Sequence, residues 1–312
     1  MFYPDVSLTR QIPFYPPGQF GVYGADAVGG LRSAGGETYY VGGSTLWLNA
    51  SDQNDGTDPN NPKLTVQSAL NQCTAGQRDT VVVLPGTYTI STQLTMTIAE
   101  VRLIGWDFQK ARYANSVVFD GDDADILAID AANCEVAGIH FDQSDNATYT
   151  GIDLSQTAAV AGTYIHDCMF EMGNAGILIG TAAGLTPTHA LIERCGFFQV
   201  HNTAAMAGIN VDRLSYSIIR DNVFYSNIAN AAYGIDLADQ ATTGVLIRGN
   251  QFMMMQAGTG IFRAGTNASA SMHDNWFSGA GTAITVLIDG GDHAVNNYSA
   301  TNAGGALVDA TT

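Results

Sequence analysis

From Gly151 to Gly305 the chain repeats one pattern six times, and that repetition leaves few folds open to it. Each copy begins with Gly-Ile or a close variant: Gly151-Ile152, Gly176-Ile177, Gly208-Ile209, Gly234-Ile235, Gly260-Ile261 and Ala283-Ile284. Each then carries apolar-x-x-Cys/Asn-x-Phe, as in Ile165/Cys168/Phe170, Ile192/Cys195/Phe197, Ile219/Asn222/Phe224, Ile247/Asn250/Phe252 and Met272/Asn275/Phe277. A weaker last copy has Ala294/Asn297. The Cys/Asn positions recur at intervals of 27, 27, 28, 25 and 22 residues. A period of that size, made of short strand-like pieces and turns, predicts an all-β solenoid.

In a solenoid, matching positions lie one above another, so a sequence column becomes a ladder. Asn222, Asn250, Asn275 and Asn297 predict an internal amide ladder, with Cys168 and Cys195 taking its place lower down. Those two cysteines fall on successive coils, about 5 Å apart by strand spacing. They are either a disulfide or a stacked pair of buried thiols. The phenylalanines predict an aromatic core stack. The polar residues after the Ile alternate in charge: Glu193 is placed beside Arg220, and Arg194 between Asp167 and Asp221. Opposite charges on adjacent strands stabilise a sheet by a few tenths to about 1 kcal/mol per pair.

Outside the repeats the chain divides. Residues 1–44 are rich in aromatics, proline and glycine, with no sustained period, and read as an extended arm for attachment or oligomerisation. Residues 45–312 read as the solenoid domain: a cap over 45–78, coils over 79–305 and a tail over 306–312. Within the cap, Thr45–Leu48 predicts a strand, and a short helix runs from Lys63 to about Cys73, with Gly76 just past its end. Counting from residue 80 gives about nine coils. The net charge is −17, with 12 basic against 29 acidic residues. That balance excludes a basic nucleic-acid footprint and attraction to anionic membranes. No stretch approaches the roughly 20 apolar residues of a membrane-spanning helix, and the opening MFYPDVSLTRQIPFYPP lacks the pattern of a secretory signal.

The string from Asp55-Gly56-Thr57 through Pro62-Lys63-Leu64-Thr65-Val66-Gln67-Ser68-Ala69-Leu70, then Asp79-Thr80-Val81 and Pro85-Gly86-Thr87-Tyr88, resembles the N-terminal cap of pectate-lyase-like right-handed parallel β-helix proteins. The Gly-Ile and Ile-x-x-Asn-x-Phe phrases are similar to their coils, and the match spans roughly residues 45–305. The resemblance implies a right-handed parallel β-helix with a capping helix. It does not fix an activity, because the superfamily holds lyases, hydrolases, epimerases and inert virion proteins.

Two functions follow as expectations. The arm and the missing signal favour a non-enzymatic bacteriophage virion protein, a head-decoration, spike or tailspike β-helix. It would be a homotrimer, joined to other virion proteins through residues 1–44 and able to meet a host glycan. The alternative is a polysaccharide-binding or polysaccharide-degrading enzyme, an inverting hydrolase or a lyase, on the Gly-Ile strands. There Asp212 and Asp236 sit on neighbouring coils, offset by two residues, with backbones roughly 8 Å apart. That distance suits an inverting carboxylate pair at about 6.5–9.5 Å. Arg213 and Arg263 would bind an acidic sugar. No organic cofactor is expected, but Asp52, Asp55 and Asp58 form an oxygen-rich loop of the kind that holds Ca2+.

Overall fold

A computed structural model describes residues 36–309, apart from 44–45, 107–115, 146, 155–156, 159, 181–184, 202–205, 228–231, 238–241, 255–258, 263–268, 280–292 and 302–306. Residues 1–35, most of the expected arm, lie outside the described residues. The rest winds into a parallel solenoid with three sheets of 11, 10 and 7 strands. The first sheet carries the Ile of each Ile-x-x-Asn phrase, the second its Phe, and the smaller third sheet the Gly-Ile strands. Because the third sheet has seven strands, the described residues hold seven complete three-strand coils rather than nine.

The beginning of the solenoid differs from expectation. Thr38–Val41, assigned to the arm, is the first strand and pairs in parallel with Thr80–Val83. Thr45 lies outside the described residues, and Leu46–Asn49 form turns, not a strand. The one helix among the described residues, α1 (Val66–Gln72), comes after that first strand and inside the chain, and is not a clean N-terminal cap. Thr65 starts it, its hydroxyl accepting from Ser68 N, and Val66, Ala69 and Leu70 are buried.

The corner between the first and second sheets explains half of the repeat. Asp167, Arg194, Asp221, Gly249, Asp274 and Asn296 all take positive φ there, from 52° to 64°. Gly, Asn and Asp tolerate this region best, and they fill every position but Arg194, which is held by its ion pairs. The next residue points inward. Asn250 Nδ2 donates to Ile219 O at 3.0 Å and to Asn275 Oδ1 at 3.1 Å, while its own Oδ1 accepts from Asn222 N at 3.0 Å. Asn222, Asn275 and Asn297 repeat the arrangement. Cys168 and Cys195 are free, fully buried thiols whose Sγ atoms donate to His166 O and Glu193 O, so they stack without a disulfide.

The other half comes from a contact between the two phrases. Phe141, Phe170, Phe197, Phe224, Phe252 and Phe277 stack at 4.7–5.0 Å with planes within 9°. From Phe170 onward each ring also covers the glycine of the preceding coil. A Cβ on Gly208 would come 2.6 Å from Phe224 and 2.7 Å from Gly234 O. Gly151, Gly176, Gly234 and Gly260 are equally confined. These glycines are required by space and not by φ.

On the outside of the first sheet the charges form a balanced network. Arg102 donates to Glu135 at 2.7 and 3.1 Å; Glu193 is sealed beneath Tyr164, Arg194 and Arg220; and Arg194 pairs with Asp167. Asp221 lies 3.9 Å from Arg220 instead of against Arg194. His166 bridges Asp167 at 2.7 Å and Glu135 at 3.1 Å. Burial disfavours its imidazolium, but those two hydrogen bonds outweigh burial and lift His166 to about 9. A pKa raised on folding stabilises the fold fully below the ordinary value near 6.5, and that contribution fades as pH rises through about 9. Unfolding midpoints should therefore fall between pH 6.5 and 9, by on the order of 3 kcal/mol of stability. Denaturant melts of His166→Gln across that range should lose this slope.

Candidate functional site

Side chains alternate along a strand, so the residue after each core phenylalanine points out of the second sheet. That column reads Asp120, Asp142, Glu171, Phe198, Tyr225, Met253, Ser278 up the solenoid. Three carboxylates on adjacent strands thus give way to two aromatic rings, and Phe198 and Tyr225 lie 6.2 Å apart and tilted. His140, two residues before Asp142, joins from the neighbouring outward column. Ligand atoms of His140, Asp142 and Glu171 all lie within 4.8 Å of one another, and all three residues are half-buried. Burial first, then the negative charges of Asp142, Asp145 and Asp122, push the Asp120 carboxyl up. Farther along the same face, Trp276 and Tyr298 are exposed, with ring centroids 6.5 Å apart.

The third sheet carries the residues singled out from the sequence. Its outward register runs Ala128, Asp153, Leu178, Asn210, Asp236. Asn210 lies opposite Asp236, so Asp212, half-buried, is two residues beyond it on the neighbouring coil. Asp236 is 9% exposed, which leaves little of it open to a polymer. Asp153 is buried too; burial first, then the charges of Asp125 and Asp130, push it up to about 6. Arg213 is half-buried just past the strand end, and Arg263 lies outside the described residues. The loop acids do not converge as expected for Ca2+. Asp52 accepts from Leu64 N and Thr65 N at the start of α1, whereas Asp55 accepts from Thr57 N and Asp58 from Asn60 N, each closing its own turn.

The His140–Asp142–Glu171 group did not emerge from the repeats. Its signal was present in the position after each phenylalanine, where Phe119-Asp120, Phe141-Asp142 and Phe170-Glu171 align.

Residues 115–303, well over half of the chain, match the family model described as a right handed beta helix region. The chain belongs to the right-handed β-helix family. Among curated proteins, no sequence matches this β-helix. Solved structures share its pectate-lyase-like fold. A rhamnogalacturonan lyase aligns with a TM-score of 0.51 at 15% identity, covering 78% of this chain and 70% of its own. Pectate lyase Pel9A aligns with a TM-score of 0.51 at 13% identity, covering 86% and 81%. A protein described as Geobacillus virus E2 ORF18 reaches a TM-score of only 0.37 at 12% identity, over 76% of this chain and 57% of its own. The expectation of a non-enzymatic protein is thereby overturned. The rhamnogalacturonan lyase and Pel9A are both described as lyases, and the second sheet of this chain holds a His/Asp/Glu group that coil stacking does not require. The particle role and the trimer gain no specific support, and no helix among the described residues is long and apolar enough to cross a membrane.

Proposed function

We propose that the protein is a polysaccharide-active enzyme, a hydrolase or a lyase, working on the outer face of the second sheet. One observation carries this reading: half-exposed Asp142 and Glu171, with ligand atoms within 4.8 Å, stand in a column that continues into Phe198 and Tyr225. Close carboxylates can act as a donor and acceptor pair across a glycosidic bond, and a separation near 5–5.5 Å is that of retaining enzymes. Aromatic faces above them offer apolar platforms to sugar rings. The test is a panel of neutral and uronic-acid polysaccharides, assayed for new reducing ends and for unsaturated ends. Cleavage is expected for at least one, with Asp142→Asn and Glu171→Gln each lowering kcat by about 10²–10⁴-fold. Absence of cleavage across the panel overturns the reading.

A second reading uses the third sheet, with Asp212 and Asp236 as the acid pair and Arg213 and Arg263 contacting an acidic sugar. The two-residue register offset favours it. Under it, Asp212→Asn and Asp236→Asn abolish cleavage while Asp142→Asn spares it.

A further inference from the structure

We infer that His140, Asp142 and Glu171 form a divalent metal site of the Zn2+ or Mn2+ type. The inference concerns the same carboxylate column as the proposed activity, but it stands on geometry and charge.

The protein carries two outward columns of charge, and they are built differently. On the first sheet every acid has a cation: Glu135 has Arg102 and His166, Asp167 has Arg194, and Glu193 has Arg194 and Arg220. On the second sheet Asp120, Asp142 and Glu171 stack in register on three successive strands. Like charges placed directly opposite destabilise a sheet. Among the described residues, no arginine or lysine pairs with any of the three, and the one basic group in reach is His140, 3.8 Å from Glu171. Its Nε2 atom is sealed from solvent and has no hydrogen-bond partner, although it faces that carboxylate. A nitrogen so placed lacks only an acceptor or a metal.

The backbone supplies the arrangement. His140 and Asp142 are two residues apart on one strand and share a face, and Glu171 lies opposite Asp142 on the next strand. Their ligand atoms, within 4.8 Å, need only small side-chain rotations to reach the about 3.3 Å spacing set by ~2.05 Å bonds in tetrahedral geometry. Asp120, in register on the preceding strand, is placed to close the group from the other side. One imidazole with carboxylates suits Zn2+ or Mn2+, whereas Ca2+ takes six to eight oxygens and no nitrogen.

The experiment uses the full chain stripped with chelator, titrated calorimetrically with ZnCl2, MnCl2 and CaCl2, with Co2+ absorption as an independent reading of nitrogen ligation. Saturable binding of Zn2+ or Mn2+ near one equivalent is expected, weakened at least tenfold by His140→Ala and by Glu171→Gln. Asp274→Asn, on an exposed corner of the first sheet, should leave it unchanged. Circular dichroism of each variant separates lost binding from lost folding. If a variant fails to fold, the His140→Gln spectrum with Co2+ decides between the outcomes. No saturable binding, binding indifferent to His140, or preference for Ca2+ overturns the site. Metal binding without cleavage of any polysaccharide would sink the enzymatic reading alone, and cleavage without metal binding would sink this one alone.

Discussion

Gly208→Val is expected to destabilise the protein by about 3 kcal/mol or more, the upper end of core overpacking. The cause is local and steric. The first added carbon already meets Phe224 at 2.6 Å and Gly234 O at 2.7 Å, and neither can retreat. Phe224 is clamped between Phe197 and Phe252 at 4.8 and 4.7 Å, and the carbonyl belongs to the next strand of the same sheet. Denaturant unfolding should show the loss. Adding Phe224→Leu should recover part of it, because residues in contact couple. A Gly208→Val protein that melts like the parent would mean that the glycine column does not restrict packing.

Asn250→Leu should cost a similar amount by the opposite route, through unmet polar groups. The volume is nearly kept, but Asn222 N and Ile219 O lose the partners they have on Asn250. Each buried group left unsatisfied costs about 1–3 kcal/mol, and Asn250 also links the amides of Asn222 and Asn275. A total near 3–4 kcal/mol lowers Tm by roughly 5–6 °C in a chain of 312 residues. Asp274→Asn, at an exposed positive-φ corner one residue before Asn275, should shift Tm by about a degree or two at most. Equal melting of the two variants would remove the amide ladder from the account of stability.

Much of the fold was legible because the repeat speaks for long-range order directly. A recurring Asn or Phe announces which residues will be neighbours, so columns and sheets follow from alignment of the copies. The ends were less legible. Thr38–Val41 joins the first sheet although its Tyr-Tyr-Val follows a glycine-rich stretch that reads as irregular, since pairing with Thr80–Val83 decides its state and no local signal does. Leu46-Trp47-Leu48 has the composition of a strand, but lies in a turn whose amides bond back to Gly43 O. The site was less legible still. Asp212 and Asp236 were found by asking which outward residues neighbour one another on the Gly-Ile strands, and the register agrees with that offset. The burial of Asp236 does not follow from register, which says which residues neighbour one another and not how far each is exposed. His140 and Asp142 lie below the clear Gly-Ile copies, where the repeat is weak, and Glu171, in the first clear copy, is an outward residue that none of the repeated columns includes.

The seat that each glycine offers to the ring of the following coil makes the length of this protein an integer. Losing or gaining a whole coil leaves every remaining ring with a seat, since Phe197, Phe224 and Phe252 occupy nearly identical ones. Losing part of a coil brings a ring against a side chain instead. Among the copies that keep the pair, variation is confined to the connections between strands, where the Cys/Asn spacing runs from 28 to 25 residues without disturbing a pairing of ring and glycine; at the last, 22-residue interval the ring itself is lost, Ser299 standing opposite Phe277. A solenoid built this way can lengthen or shorten its working face by whole coils, and can place carboxylates and aromatic rings along it in any order, without redesigning its interior.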